Sequence, residues 1–120
     1  MPKQDKERIK KLEERIIKFR EERDWEKFYK PKDIAISLAL EAAEVLEHFQ
    51  WKSSKEIEEY VKNSKDEISE ELADVLYWVL LMSHDIDIDI LKALDKKIDK
   101  NAKKYPIEKA KGRADKYNKL

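Results

Sequence analysis

The chain has no cysteine, one glycine and three prolines in 120 residues. Without cysteine there is no disulfide framework and no thiolate metal site. With a single glycine, Gly112 near the C-terminus, there is no Gly-rich phosphate loop. Scarce glycine and proline also argue against a sheet joined by tight turns. The longest strongly apolar run, Val75 to Met82, is far too short to span a bilayer. The opening MPKQDKERIK has no apolar stretch of the kind a signal peptide needs, so a cytoplasmic protein without a membrane partner is expected. Net charge is missing too. The 27 basic and 27 acidic residues cancel, which argues against a stable nucleic-acid partner held by a basic surface.

What is abundant is charge of both signs, at 45% of residues, together with Ala and Leu. Ala, Leu, Glu and Lys favour helix, so the expected fold is all-α. A chain of this length reads as a single domain, residues 1–120, with a core from about 23 to 106 and a polar, loosely held tail over 107–120. The first helix is expected from about Asp5 to Arg23, with Ile9, Leu12, Ile16 and Phe19 as its apolar stripe. The segment from Asp24 to Lys32 reads as irregular because Pro31 disfavours helix just before it. Asp33 is the expected cap of a second helix running to about Phe49. Ser53 and Glu56 have capping-box spacing and open a short helix to about Val61. Ser64 and Glu67 have the same spacing and open a long helix that ends near His84. Asp87 or Asp89 caps the last long helix, from about Ile90 to Lys104, and Pro106 stops it.

Two acidic pairs stand out within these apolar stretches. Glu41 and Glu44 lie in IAISLALEAAEVLEHFQW, and Glu71 and Asp74 lie in DEISEELADVLYWVLLM. Residues i and i+3 share a helix face with Cβ atoms about 5–6 Å apart, so each pair aims two carboxylates one way. Single acids beside an apolar stripe usually reach solvent. Two such pairs on neighbouring long helices would instead form one cluster if the helices pack antiparallel. Four carboxylates brought together repel unless protonated or paired with a cation, and Mg²⁺ or Mn²⁺ suits an all-oxygen site. Such a site points to phosphate chemistry.

Other residues fit that reading. Trp25 precedes the second helix, Trp51 follows it, and Trp78 lies one turn after Asp74. Flat amphipathic rings beside a metal and phosphate site suit a nucleobase, although tryptophans more commonly serve cores and interfaces. Lys97 and Asn101 are i,i+4 on the last long helix, a lysine to neutralise phosphate and an asparagine to read a base or sugar edge. The ordinary alternative for Lys97 is a snorkelling surface residue. Glu44 and Glu47 are both candidates to activate water. His48, four residues after Glu44, could face the cluster as a ligand, although such a histidine is more often a helix-surface or interface residue, and neither histidine has the Glu-x-x-His spacing of a di-iron bundle. Trp78, Leu76, Leu80, Leu81 and Met82 make the long helix apolar almost all round, and a helix of that kind is buried on all sides, which predicts a homodimer or homotetramer.

The stretches RDWEKFYKPKD, ALEAAEVLEHFQW, EELADVLYWVLLM and DIDILKALDKKIDKNAKKYP cover about Arg23 to Pro106. Together they resemble the MazG-like all-α nucleoside triphosphate pyrophosphohydrolases, and within them the dCTP pyrophosphatase branch. The closing DKYNKL looks like the ends of such proteins. The resemblance implies an oligomeric, four-helix-bundle-like MazG fold. It implies Mg²⁺ on Glu41, Glu44, Glu71 and Asp74, a base enclosed by Trp25 and Trp51, and substrate contacts from Lys97 and Asn101. The implied reaction cleaves a nucleoside triphosphate between the α- and β-phosphates, giving the monophosphate and pyrophosphate. Trp78 stands where that branch has a tyrosine, so a hydroxyl is absent here. A non-catalytic helical oligomerisation module is the reading from a different class, with the acidic pairs making intersubunit salt bridges.

Overall fold

A computed structural model describes residues 2–120. Among them there are six α-helices and two 3₁₀ turns, and no strand. The helices are α1 (Lys3–Glu22), α2 (Pro31–Glu47), α3 (Ser54–Asn63), α4 (Lys65–Asp85), α5 (Ile90–Lys104) and α6 (Ile107–Ala110). The all-α expectation is met. The chain divides into two compact units, the first ending at Asp87 and the second running Ile88–Leu120. The first holds α1 to α4, and α4 packs against each of the other three.

Local chemistry accounts for most helix ends. Ser53 Oγ accepts from the Glu56 amide at 3.2 Å and Glu56 Oε1 accepts from the Ser53 amide at 3.2 Å, a reciprocal box at the start of α3. Asp89 caps α5 by accepting from the Lys92 amide at 3.1 Å. Asp87 instead occupies the left-handed region, with φ 59°. Two expectations are corrected. Asp33 is not the cap of α2. Pro31 takes the first helical position, where its missing N–H costs nothing, and Asp33 reaches back to accept from the Lys30 amide at 3.0 Å. Ser64 makes no side-chain cap, because it also closes α3. Its φ/ψ of −122°/27° are not the extended values that aim a capping hydroxyl. In the tail, Pro106 stops α5 and then starts α6, and Tyr117–Lys119 form a 3₁₀ turn.

The first unit's core is small. Ile34 of α2 and Leu80 and Leu81 of α4 are its fully buried apolar side chains, each contributing about 1.5–3 kcal/mol. Ile36, Leu40 and Leu46 on α2, and Leu72 and Leu76 on α4, are all exposed. In the second unit, Leu94 and Ile98 of α5 are also exposed, and Tyr105 meets Tyr117 edge to face with centroids 6.3 Å apart.

Candidate metal and nucleotide site

The packing of α2 on α4 decides what the acidic pairs do. Glu44 interacts with Glu71, and Glu41 with Asp74 and Trp78. Pairing thus runs upward along one helix and downward along the other, so the helices are antiparallel. One carboxylate oxygen from each of Glu41, Glu44, Glu71 and Asp74 lies within 4.8 Å of the other three. Opposite ligands of an octahedral Mg²⁺ stand about 4.2 Å apart, twice the usual bond length. The cluster is therefore close to the size such an ion needs. Glu41 and Glu71 are half-buried, and the Oε2 atom of each is buried without a hydrogen-bond partner. Buried carboxylate oxygens facing only other carboxylates are poorly satisfied. The donor set, all carboxylate oxygen, fits a hard divalent cation.

The same crowding disturbs titration. Burial raises the Glu41 carboxyl above its ordinary value, Glu44 and Asp74 raise it further, and the Trp78 indole offsets part of this. Glu71 is pushed from 4.5 to about 7, chiefly by the shared hydrogen bond with Glu44, then by burial and the neighbouring acids. The unfolded chain releases the Glu71 proton near 4.5, while the folded chain keeps it to about 7. Between those values the folded state binds more protons, so this contribution is complete below 4.5 and disappears as pH rises through 7. Without divalent cations the melting temperature should therefore fall from pH 5 to pH 8. Glu71→Gln should flatten that slope in a thermal melt series. A slope equal to the parent's in Glu71→Gln would rule this origin out.

Beside the cluster lies a cleft of about 270 Å³. Glu41 and Asp74 open onto it, and Phe19, Trp25, Tyr29, Tyr77 and Trp78 form its aromatic lining. The rings touch in sequence. Phe19 and Trp25 are 5.9 Å apart, Trp25 and Tyr29 6.3 Å, Tyr29 and Trp78 5.3 Å, and Trp78 and Tyr77 5.0 Å. Arg20 and Leu81 complete the lining. Of the three tryptophans singled out in the sequence, Trp25 and Trp78 meet in this cleft. Trp51 sits in the turn after α2, outside the cleft lining and 86% exposed. Glu47 is exposed on the last turn of α2, outside the four-carboxylate cluster. Lys97 and Asn101 are exposed on α5, in the second unit.

Sequence reasoning overlooked Tyr29, Tyr77 and Arg20 as cleft residues and placed Phe19 only in the apolar stripe. A signal was present, since Phe19, Trp25, Phe28 and Tyr29 are four of the chain's eleven aromatic residues and lie within one short segment. His48 bonds the Tyr60 hydroxyl and ties the end of α2 to α3, away from the ligand set.

An all-α scaffold whose two antiparallel helices bring four carboxylates together beside an aromatic cleft defines a helical acidic-cluster protein. The MazG-like family model matches residues 36–120, and the chain belongs to that family. It is similar to dCTP pyrophosphatase 1 of Rattus norvegicus, with 36% identity over 104 residues, covering 85% of this chain and 61% of that protein. It is similar to dCTP pyrophosphatase 1 of Homo sapiens at 33% identity, again covering 85% of this chain and 61% of that protein. The chain thus spans about 61% of the length of these curated relatives. A crystal structure of a pyrophosphatase from Archaeoglobus fulgidus matches with a TM-score of 0.79 and 39% identity, covering 82% of this chain and 93% of that one. No described helix is long and apolar enough to cross a membrane.

Proposed function

We propose that this chain is a Mg²⁺-dependent nucleoside triphosphate pyrophosphohydrolase, with Mn²⁺ as a substitute ion and dCTP or a modified nucleotide as substrate. It would remove unwanted nucleotides from the pool. The observation that carries the reading is the opening of Glu41 and Asp74, half of a four-carboxylate cluster, onto an aromatic cleft. Glu41, Glu44, Glu71 and Asp74 would hold the ion. When bound, it supplies charge neutralisation for phosphate oxygens and a more acidic water. Trp25, Tyr29 and Trp78 offer faces on which a base stacks, worth on the order of 1–3 kcal/mol per base. Glu44 or Glu47 accepts the proton of the attacking water. The family resemblance assigns Lys97 to phosphate and Asn101 to a base or sugar edge. The family's dCTP pyrophosphatases in Rattus norvegicus and Homo sapiens support the substrate class.

A homodimer or homotetramer is part of the proposal. Exposed Ile36, Leu40, Leu46 and Trp51 leave apolar area that a second copy would cover, and Trp51 would then complete a neighbour's site. The same exposure would suit a non-catalytic interaction module. A panel of nucleoside triphosphates, assayed for monophosphate and pyrophosphate with Mg²⁺ and with chelator, separates the two readings. We expect equal amounts of monophosphate and pyrophosphate, only with the metal. Release of orthophosphate, or no turnover on any nucleotide, would overturn the enzymatic reading. Light scattering on the same sample should give a dimer or larger at micromolar concentration.

A further inference from the structure

We infer that Arg20 and Asp85 form a positioning clamp that fixes Trp25 over the cleft, a role that rests on the reading of that cleft as the nucleotide site. Arg20 lies in the last turn of α1 and is 3% exposed. Its guanidinium donates two bonds to the Asp85 carboxylate at the end of α4, Nη1 to Oδ2 at 2.7 Å and Nη2 to Oδ1 at 2.8 Å. A planar fork on a carboxylate fixes direction as well as distance. The clamp is flanked by His84, whose Nδ1 is 3.1 Å from Asp85 Oδ1.

The other end of the same residue holds the aromatic segment. The Arg20 carbonyl accepts from the Trp25 amide at 3.1 Å and from the Arg23 amide at 3.3 Å. Between them Asp24 turns through the left-handed region with φ 53°, which aspartate tolerates better than most residues with a side chain. Arg20 therefore joins α4, which carries Asp74 and Trp78, to the loop that carries Trp25. Through this residue, the distance between the ring that would stack a base and the carboxylates that would hold the ion is fixed.

The cost of the arrangement points the same way. Arg20 Nε is buried without a partner, so the pair is not fully satisfied. An apolar pair of similar volume would pack without that penalty and is often at least as stable. What an apolar pair cannot supply is direction.

The test compares the parent chain with Asp85→Asn and with the double variant Arg20→Met/Asp85→Leu. Asp85 does not line the cleft, so the first change leaves the cleft surface as it is. The double variant removes both charges and should melt near the parent temperature. In Asp85→Asn, the variant that replaces no cleft-lining residue, we expect KM for an accepted nucleotide to rise about fivefold, the low end of one lost base stack, with kcat within about threefold; the double variant, which also replaces the cleft-lining Arg20, should show at least that rise. By NMR hydrogen exchange, the Trp25 amide should exchange about tenfold faster relative to the amides of α2. If the double variant recovers parental KM and Trp25 protection along with its melting temperature, the pair is merely structural and the inference fails. Should the parent hydrolyse no nucleotide, the proposed function fails, and the exchange arm still decides the clamp. Unchanged Trp25 protection in both variants overturns it.

Discussion

Glu41→Gln or Asp74→Asn should lower nucleotide hydrolysis by about a thousandfold or more. A bound ion stabilises developing phosphate charge by several kcal/mol, and each ~1.4 kcal/mol is a factor of ten in rate. Both residues open onto the cleft and contribute to the cluster, and neither forms part of the apolar core. The fold should therefore survive. Glu41→Gln should in fact raise the melting temperature of the metal-free protein. It removes a carboxylate whose Oε2 is buried beside like charges and replaces it with an amide that can donate to them. Mg²⁺ should behave in the opposite way. Binding only to the folded state, it stabilises the parent by about 2.7 kcal/mol at a hundred times its Kd, and the variants should lose most of that gain. Steady-state kinetics and melts with and without Mg²⁺ measure both effects. Parental rates in both variants would remove these residues from the site. A Mg²⁺ shift that survives in both would place the ion elsewhere.

Arg20→Ala should cost about 3 kcal/mol and lower the melting temperature by roughly 10 °C. The side chains of Arg20 and Asp85 are 4% and 17% accessible, so the pair is mostly removed from water. Deleting one partner leaves the other charge without its bonds, which for fully buried pairs costs about 3–5 kcal/mol. Partial access of Asp85 puts the expectation at the low end. The guanidinium holds the Asp85 carboxyl below its ordinary value of 3.8. A depressed carboxyl contributes above that pH and loses its contribution as pH falls through the folded value. The cost of Arg20→Ala should therefore be full at neutral pH and shrink in acid. Chemical denaturation at pH 7 and pH 3 checks the size and the sign. A loss under about 1 kcal/mol at pH 7 would show the pair to be no better than a surface ion pair.

The sequence by itself determined the helical class, most helix boundaries and the four acidic residues. These are local properties. A capping box such as Ser53 with Glu56, or a cap such as Asp89, is decided within one turn of backbone. The i,i+3 spacing of Glu41 with Glu44 and of Glu71 with Asp74 is likewise a matter of one turn. Where the reading failed, two local rules competed. Asp33 lost the cap of α2 because Pro31 took the first helical position, and Ser64 lost its cap because one residue had to end α3 and begin α4.

Only the tertiary structure decided which side chains meet. Glu44 faces Glu71 and Glu41 faces Trp78 because α2 and α4 cross antiparallel in one register. Shifting that register by a single residue would rotate each acid about 100° around its helix and break up the cluster. Arg20 occupies the same face as Ile16, one turn earlier, so a charge on an apolar stripe was visible in the sequence. Its partner lies 65 residues away, and no periodicity identifies it. Trp25 and Trp51 look equivalent as sequence, yet one lines the cleft and the other faces solvent. The difference arises because the α1–α2 connection, anchored at Arg20, brings Trp25 and Tyr29 against Trp78 of α4, whereas the turn after α2 leads into α3 and leaves the Trp51 ring in solvent. Such choices depend on the angles and offsets between helices, which are set by the sum of all packing contacts and are encoded in no single window of residues.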